Sequence, residues 1–231
     1  MFFNLMLRHT PLSSLERLSL GLGSALASFV DPERADMVAL LGEVTGAHAL
    51  PRLRAQLQGS PDGAWLLQHR PLVRGPAFTP AALAASMPAG SFGASYGLYL
   101  SVHGFSPDAR TPVRFVEDEE LAYVMARYRE VHDFLHVLSG LPPTVLGEVA
   151  LKWLEMAATG LPVAALAALV GPLRLSAQDR AHLTTTLAPW ALRTAAACPP
   201  LLAVRYEDLL PLPLAEAQAR LRITPAPQLL S

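Results

Sequence analysis

The stretch EDEELAYVMARYREVHDFLHVLSGLPPTVLGEVALKWLEMAATG, Glu117 to Gly160, decides the fold. Leu121, Val124, Met125, Tyr128, Val131, Leu135 and Leu138 recur at the spacing of one helical face, with acids in the first turn and Gly140 as a stop. Pro142 and Pro143 make a turn, and the chain from Thr144 returns as a second helix that ends at Gly160. So short a connection predicts an antiparallel helical hairpin.

Two histidines interrupt the apolar face. His132 and His136 are four residues apart and so stack one turn from each other on the buried side. A polar side chain there costs roughly 1–3 kcal/mol unless it finds partners. Two imidazoles at this spacing can chelate one cation, although such pairs also occur as ordinary structural histidines. Asp133, about 100° further round the helix, is a candidate ligand or a group that fixes an imidazole tautomer. Glu148 lies early in the returning helix, where the hairpin would bring its carboxylate to His136. Imidazoles and carboxylates without a thiolate suit zinc best, with iron, manganese and cobalt also acceptable.

Outward from the hairpin, helical signals continue in both directions. Helices are expected near Leu12 to Val30, then from an Asp31 N-cap with Pro32 in the first turn to a stop at Gly46. Others are expected near Ala49 to Gln58, Asp62 to His69 and Phe92 to His103, with a short Ala-rich one among the prolines before it. After the hairpin come Pro162 to Val170, Ala177 to Ala197 and an amphipathic piece near Leu214 to Arg222, then a frayed tail over residues 224–231. Period-two alternation is almost absent. The expected fold is therefore all-α: a single compact domain over residues 1–231, of about eight to ten helices, with a metal-bearing antiparallel hairpin.

Composition narrows the partners. Of the 231 residues, 52% are apolar and only 16% charged, so something apolar is expected to touch the surface. A net charge of -1 argues against nucleic acid, which calls for a basic patch. The single Cys198 excludes an internal disulfide and reads as an inert or buried thiol. The longest charge-free run, Met156 to Leu173, is broken by Gly160, Pro162, Gly171 and Pro172 and does not read as a membrane span. That run and the face of Leu18 to Val30 are expected against a membrane, a second copy of the chain in a homodimer, or the protein's own core, with the core preferred. MFFNLMLR at the N-terminus is too short for a signal or transit peptide.

The order His132-Asp133-x-x-His136-x11-Glu148, with DMVALLGEVTG, SPDARTPVRFVEDEELAYVMARYREVHD and GEVALKWLEMAATGLP, resembles the ubiquinone (coenzyme Q) biosynthesis family that decarboxylates a polyprenylated 4-hydroxy-3-methoxybenzoate. The resemblance runs from about residue 10 to about residue 207 and fills all four motif positions. It implies a helical fold and zinc held by His132, Asp133, His136 and Glu148, which would also be the catalytic residues. It implies a metal-dependent carboxy-lyase that converts 4-hydroxy-3-methoxy-5-polyprenylbenzoate to 2-methoxy-6-polyprenylphenol. Glu130, or a water on the metal, is the expected source of the proton that replaces the carboxylate. The implied setting is peripheral, on the matrix side of the mitochondrial inner membrane, in a complex with other ubiquinone-biosynthesis proteins and with an isoprenoid lipid as substrate.

Two other readings compete. An HD-type phosphohydrolase also uses adjacent His and Asp, but it would need His103 and Asp179 as further ligands, and neither stands in a motif. A non-catalytic lipid-binding scaffold for ubiquinone-pathway enzymes would use the metal only to hold the hairpin. Among the remaining charges, Asp118, Glu119 and Glu120 suit a helix start, and Arg127 and Arg129 are expected to pair with acids on their own helix. Lys152 is expected in a solvated pair with Glu148, and Tyr123, Tyr128 and Trp153 in the core.

Overall fold

Helical periodicity becomes helices throughout the computed structural model, which describes residues 9–31 and 34–229. Expectations for Met1 to Arg8 and for Pro32 lie outside the described residues. In chain order the helices are α1 (Ser14–Val30), α2 (Ala35–Thr45), α3 (Ala49–Gln58), α4 (Pro61–His69), α5 (Pro80–Ser86), α6 (Phe92–His103) and α7 (Glu119–Ser139). They continue as α8 (Val145–Thr159), α9 (Pro162–Val170), α10 (Ala177–His182), α11 (Ala188–Ala197), α12 (Tyr206–Leu209) and α13 (Leu214–Leu221). No strand occurs among the described residues; a lone bridge joins Ser91 to Pro213. The described residues pack around one continuous core, so the all-α single-domain expectation holds.

The hairpin forms for local reasons visible at its caps. Asp118 accepts the Leu121 N–H at 2.9 Å to start α7, with Glu119 and Glu120 complementing the helix dipole. Gly140 ends it in the left-handed region at φ 72°, where a side chain would be strained. Thr144 caps α8, and any Cβ at Gly147 would collide with the Pro142 carbonyl, so the tight return requires glycine. Contacts then pair His136 with Glu148, and Tyr128 with Lys152 and Glu155, so the two helices run antiparallel.

Several expectations are corrected. Asp31 does not cap α2: it ends α1 with its own N–H on the Ala27 carbonyl, and α2 starts at Ala35 with Arg34 in the N-cap position. The helix expected across Ala177 to Ala197 is continuous, but a π turn over Leu183–Leu187 separates α10 from α11. Residues 224–229 are docked, not frayed. Ala226 donates its N–H to the Ser139 carbonyl at 2.7 Å, Gln218 donates to the Leu138 carbonyl at 2.8 Å, and Trp190 donates to Thr224. Carbonyls in the last turn of α7 have no partner within their own helix, and the C-terminal segment supplies donors. Residues 230–231 lie outside the described part.

The charge-free run after Met156 is divided. Leu161 and Val163 are buried in the core, whereas Leu166, Leu169 and Leu173 are exposed. On α1, Leu15, Leu18, Leu22, Leu26 and Phe29 all face outward. No helix among the described residues is long and apolar enough to cross a membrane.

Candidate metal centre

Three side chains converge where α7 and α8 cross. One ligand atom from each of His132, His136 and Glu148 lies within 4.8 Å of the other two. His136 Nε2 is 3.1 Å from Glu148 Oε1, and His132 Nε2 is 3.4 Å from Glu148 Oε2. The two imidazoles meet edge to face, with centroids 4.8 Å apart, as a spacing of one helical turn demands.

The other ring nitrogens decide what this group can hold. His136 Nδ1 faces the Leu141 carbonyl at 2.9 Å, and His132 Nδ1 faces Glu155 Oε1 at 2.7 Å. Both partners can only accept, so each Nδ1 carries a proton, and each Nε2, once it holds no proton of its own, presents a lone pair toward Glu148. His136 Nε2 is buried and makes no geometrically sound hydrogen bond, despite its approach to the carboxylate. Two nitrogen lone pairs and a carboxylate aimed at one point call for a positive charge between them.

The electrostatics say the same. Burial and the Lys152 ammonium oppose a charge on His132, but the Glu155 and Glu148 carboxylates outweigh them and raise its pKa to about 9, so near neutral pH a proton supplies the positive charge there and an ion would have to displace it. Burial would raise Glu148, yet the facing imidazoles, His132 first, hold its carboxyl well below the usual range. The residues fit a cation with nitrogen and oxygen preferences, and three protein ligands leave a position open for another molecule. Glu148, with 37% of its side chain exposed, marks the open side. Tyr99 of α6 stacks on His136 at 5.6 Å and continues into His103 and Phe105, while Leu98 and Val102 on the same helix are exposed.

Residues 7–227 match the family described as "Coenzyme Q (ubiquinone) biosynthesis protein Coq4". The chain belongs to the Coq4 family. It is 47% identical over 219 residues to the mitochondrial COQ4 homolog of Bos taurus, covering 95% of this chain and 82% of that one. Identity to the Homo sapiens homolog, also named mitochondrial, is 47% over 199 residues, 86% of this chain and 75% of the relative. A Nostoc punctiforme crystal structure shares the fold with a TM-score of 0.70 at 21% identity, over 90% of this chain and 98% of that one.

Not every residue of the expected ligand set reaches the centre. Asp133 does not: Arg110 takes its carboxylate in an ion pair, on the flank of α7 away from the group. Glu130 is not there either. It lines a separate cavity of about 310 Å³ with Arg74, Tyr123 and Val113, where burial pushes its pKa up to about 7 against the pull of Arg127 and Arg110. A helix rotates about 100° per residue, so adjacent residues serve different neighbours.

Lys152 is also corrected. It is partly buried, pairs with Glu155 at 2.6 Å instead of Glu148, and donates to Tyr128 at 3.3 Å. Arg127 and Arg129 reach beyond their own helix. Arg127 binds Glu207 through two nitrogens and keeps Glu130 at 3.9 Å, while Arg129 binds Glu43 at 2.7 Å. Glu155 is the residue that sequence reasoning missed. Its signal was available: it stands seven residues after Glu148, two turns on along the same face of α8.

Proposed function

We propose that this Coq4 protein acts in ubiquinone biosynthesis as a metal-dependent carboxy-lyase. The reading takes 4-hydroxy-3-methoxy-5-polyprenylbenzoate as substrate and 2-methoxy-6-polyprenylphenol and carbon dioxide as products. The observation that carries it is the convergence of His132 Nε2, His136 Nε2 and a Glu148 oxygen, with both Nδ1 atoms already committed elsewhere. Those three side chains would hold the ion, zinc being the best match to the donor set. When bound, such an ion supplies Lewis-acid attraction for an oxygen of the ring carboxylate.

The protein's own residues do the rest. His132 and His136 are fixed before substrate arrives, so little reorganisation is needed as charge moves into the ring. Tyr99, packed on His136, offers an aromatic wall beside the open side for a ring-shaped head group. Leu98, Val102 and Phe105 provide exposed apolar surface for the start of an isoprenoid tail. The carbon–carbon bond to the carboxylate breaks, carbon dioxide leaves, and a proton takes its place on the ring. Asp133, in this reading, pairs with Arg110 instead of binding the ion. The setting we propose is peripheral, on the matrix side of the mitochondrial inner membrane and beside other enzymes of the pathway; the names of its relatives support the mitochondrion and the pathway.

The test is carbon dioxide release from a short-tailed substrate by purified protein, with and without chelator. Turnover that disappears on chelation and returns with zinc supports the reading. Full metal loading with no product would overturn the lyase assignment.

A further inference from the structure

Glu155 is almost wholly buried, and its carboxylate is saturated by short contacts from three side chains. His132 Nδ1 lies 2.7 Å from Oε1; Lys152 Nζ and Tyr128 Oη donate to Oε2 at 2.6 and 2.7 Å. The donors come from both helices of the hairpin, Tyr128 and His132 one turn apart on α7 and Lys152 three residues before Glu155 on α8. Lys152 also contacts Tyr128 at 3.3 Å and offsets the carboxylate's charge. A buried carboxylate held this way cannot swing, and its remaining lone pair fixes the ring it faces.

The two histidines differ in what holds them. His136 is oriented by the main-chain carbonyl of Leu141, which no substitution removes. His132 is oriented by a side chain. Lys152 Nζ stands 3.3 Å from the same Nδ1 but, as an ammonium, can only donate, so the acceptor for the Nδ1 proton is Glu155.

We propose that Glu155, braced by Lys152 and Tyr128, is the positioning residue that holds His132 as its Nδ1–H tautomer with Nε2 turned to the ion. The inference rests on the metal reading above. Glu155 serves His132 from α8, the role that the sequence alone left open to Asp133. It does not itself touch the ion; it acts through the ring.

The test uses the full chain and zinc. Affinity is measured by competition with a chelating indicator in wild type, Glu155→Gln and the charge-balanced Lys152→Met/Glu155→Gln double variant. Nitrogen-15 NMR of the zinc-loaded protein reads which ring nitrogen of His132 carries the proton. Glu155→Gln is expected to lose about 10- to 100-fold in zinc affinity, the usual cost of a supporting partner, with the shared-proton signal of His132 Nδ1 moved or lost. The double variant should recover the melting temperature but not the affinity, which separates positioning from simple folding. If the single variant fails to fold, the double decides. Zinc affinity within about threefold of wild type in the double, or His132 binding zinc through Nδ1, would overturn the inference and leave the metal site standing. A wild-type protein that binds no zinc would instead remove the metal reading, and this inference with it.

Discussion

Replacing His136 by alanine removes one of the three donors of the proposed ion site. Zinc content measured by mass spectrometry should fall by more than about 100-fold in affinity terms, beyond what loss of a supporting residue costs. Asp133→Asn should behave differently. It leaves Arg110 without its carboxylate, costing about 1–3 kcal/mol in denaturant melts as a charged hydrogen bond is lost, while zinc affinity stays close to wild type. A large loss of zinc in that variant would return Asp133 to the ligand set. At this scale the sequence was legible for His132, His136 and Glu148, because one-turn spacing and a short hairpin leave few places for them to go. It was not legible for Asp133, whose neighbour Arg110 lies 23 residues away in a loop with no periodic signal.

Elements meet at their ends, and the ends of α7 show how. Gly147→Ala places a methyl group against the Pro142 carbonyl, where backbone cannot give way as a side chain tip can. Overpacking of this kind should cost about 1–3 kcal/mol and loosen the return into α8, readable as a lower urea midpoint. Gln218→Ala removes the donor to the Leu138 carbonyl at the other side of the same end, and about 1 kcal/mol of stability should be lost. An unchanged midpoint would mean that water replaces that donor without cost. Helix positions followed from caps, prolines and glycines that act within a few residues, which is why α3, α6, α7 and α9 stand where the sequence put them. The docked C-terminal segment could not be read the same way. TPAPQLLS has the composition of a loose end, and its partners, the Ser139 carbonyl of α7 and the Trp190 and His182 side chains, come from distant parts of the chain.

For the whole molecule, zinc bound only by the folded state should raise stability with its concentration. At about 100 times the dissociation constant the gain is about 2.7 kcal/mol, which for a domain of this size corresponds to a melting shift of about 5–10 °C. A melting temperature indifferent to zinc and to chelator would contradict a site built from two helices of the core. Ion pairs also tie distant parts together: Arg127 is fully buried and bound by Glu207, 80 residues on, and Arg129 reaches Glu43 of α2. Glu43 also accepts the N–H groups of Arg114 and Phe115 at 2.7 Å each, so one carboxylate steadies the loop that leads into α7. The sequence by itself determined the all-α class, the hairpin and the three converging donors, because these depend on periodicity, capping and spacing over one or two turns. Only the tertiary structure decided which acid supports His132, where Asp133 and Glu130 turn, and which partners neutralise the buried arginines, because those choices depend on what the chain brings alongside from far away.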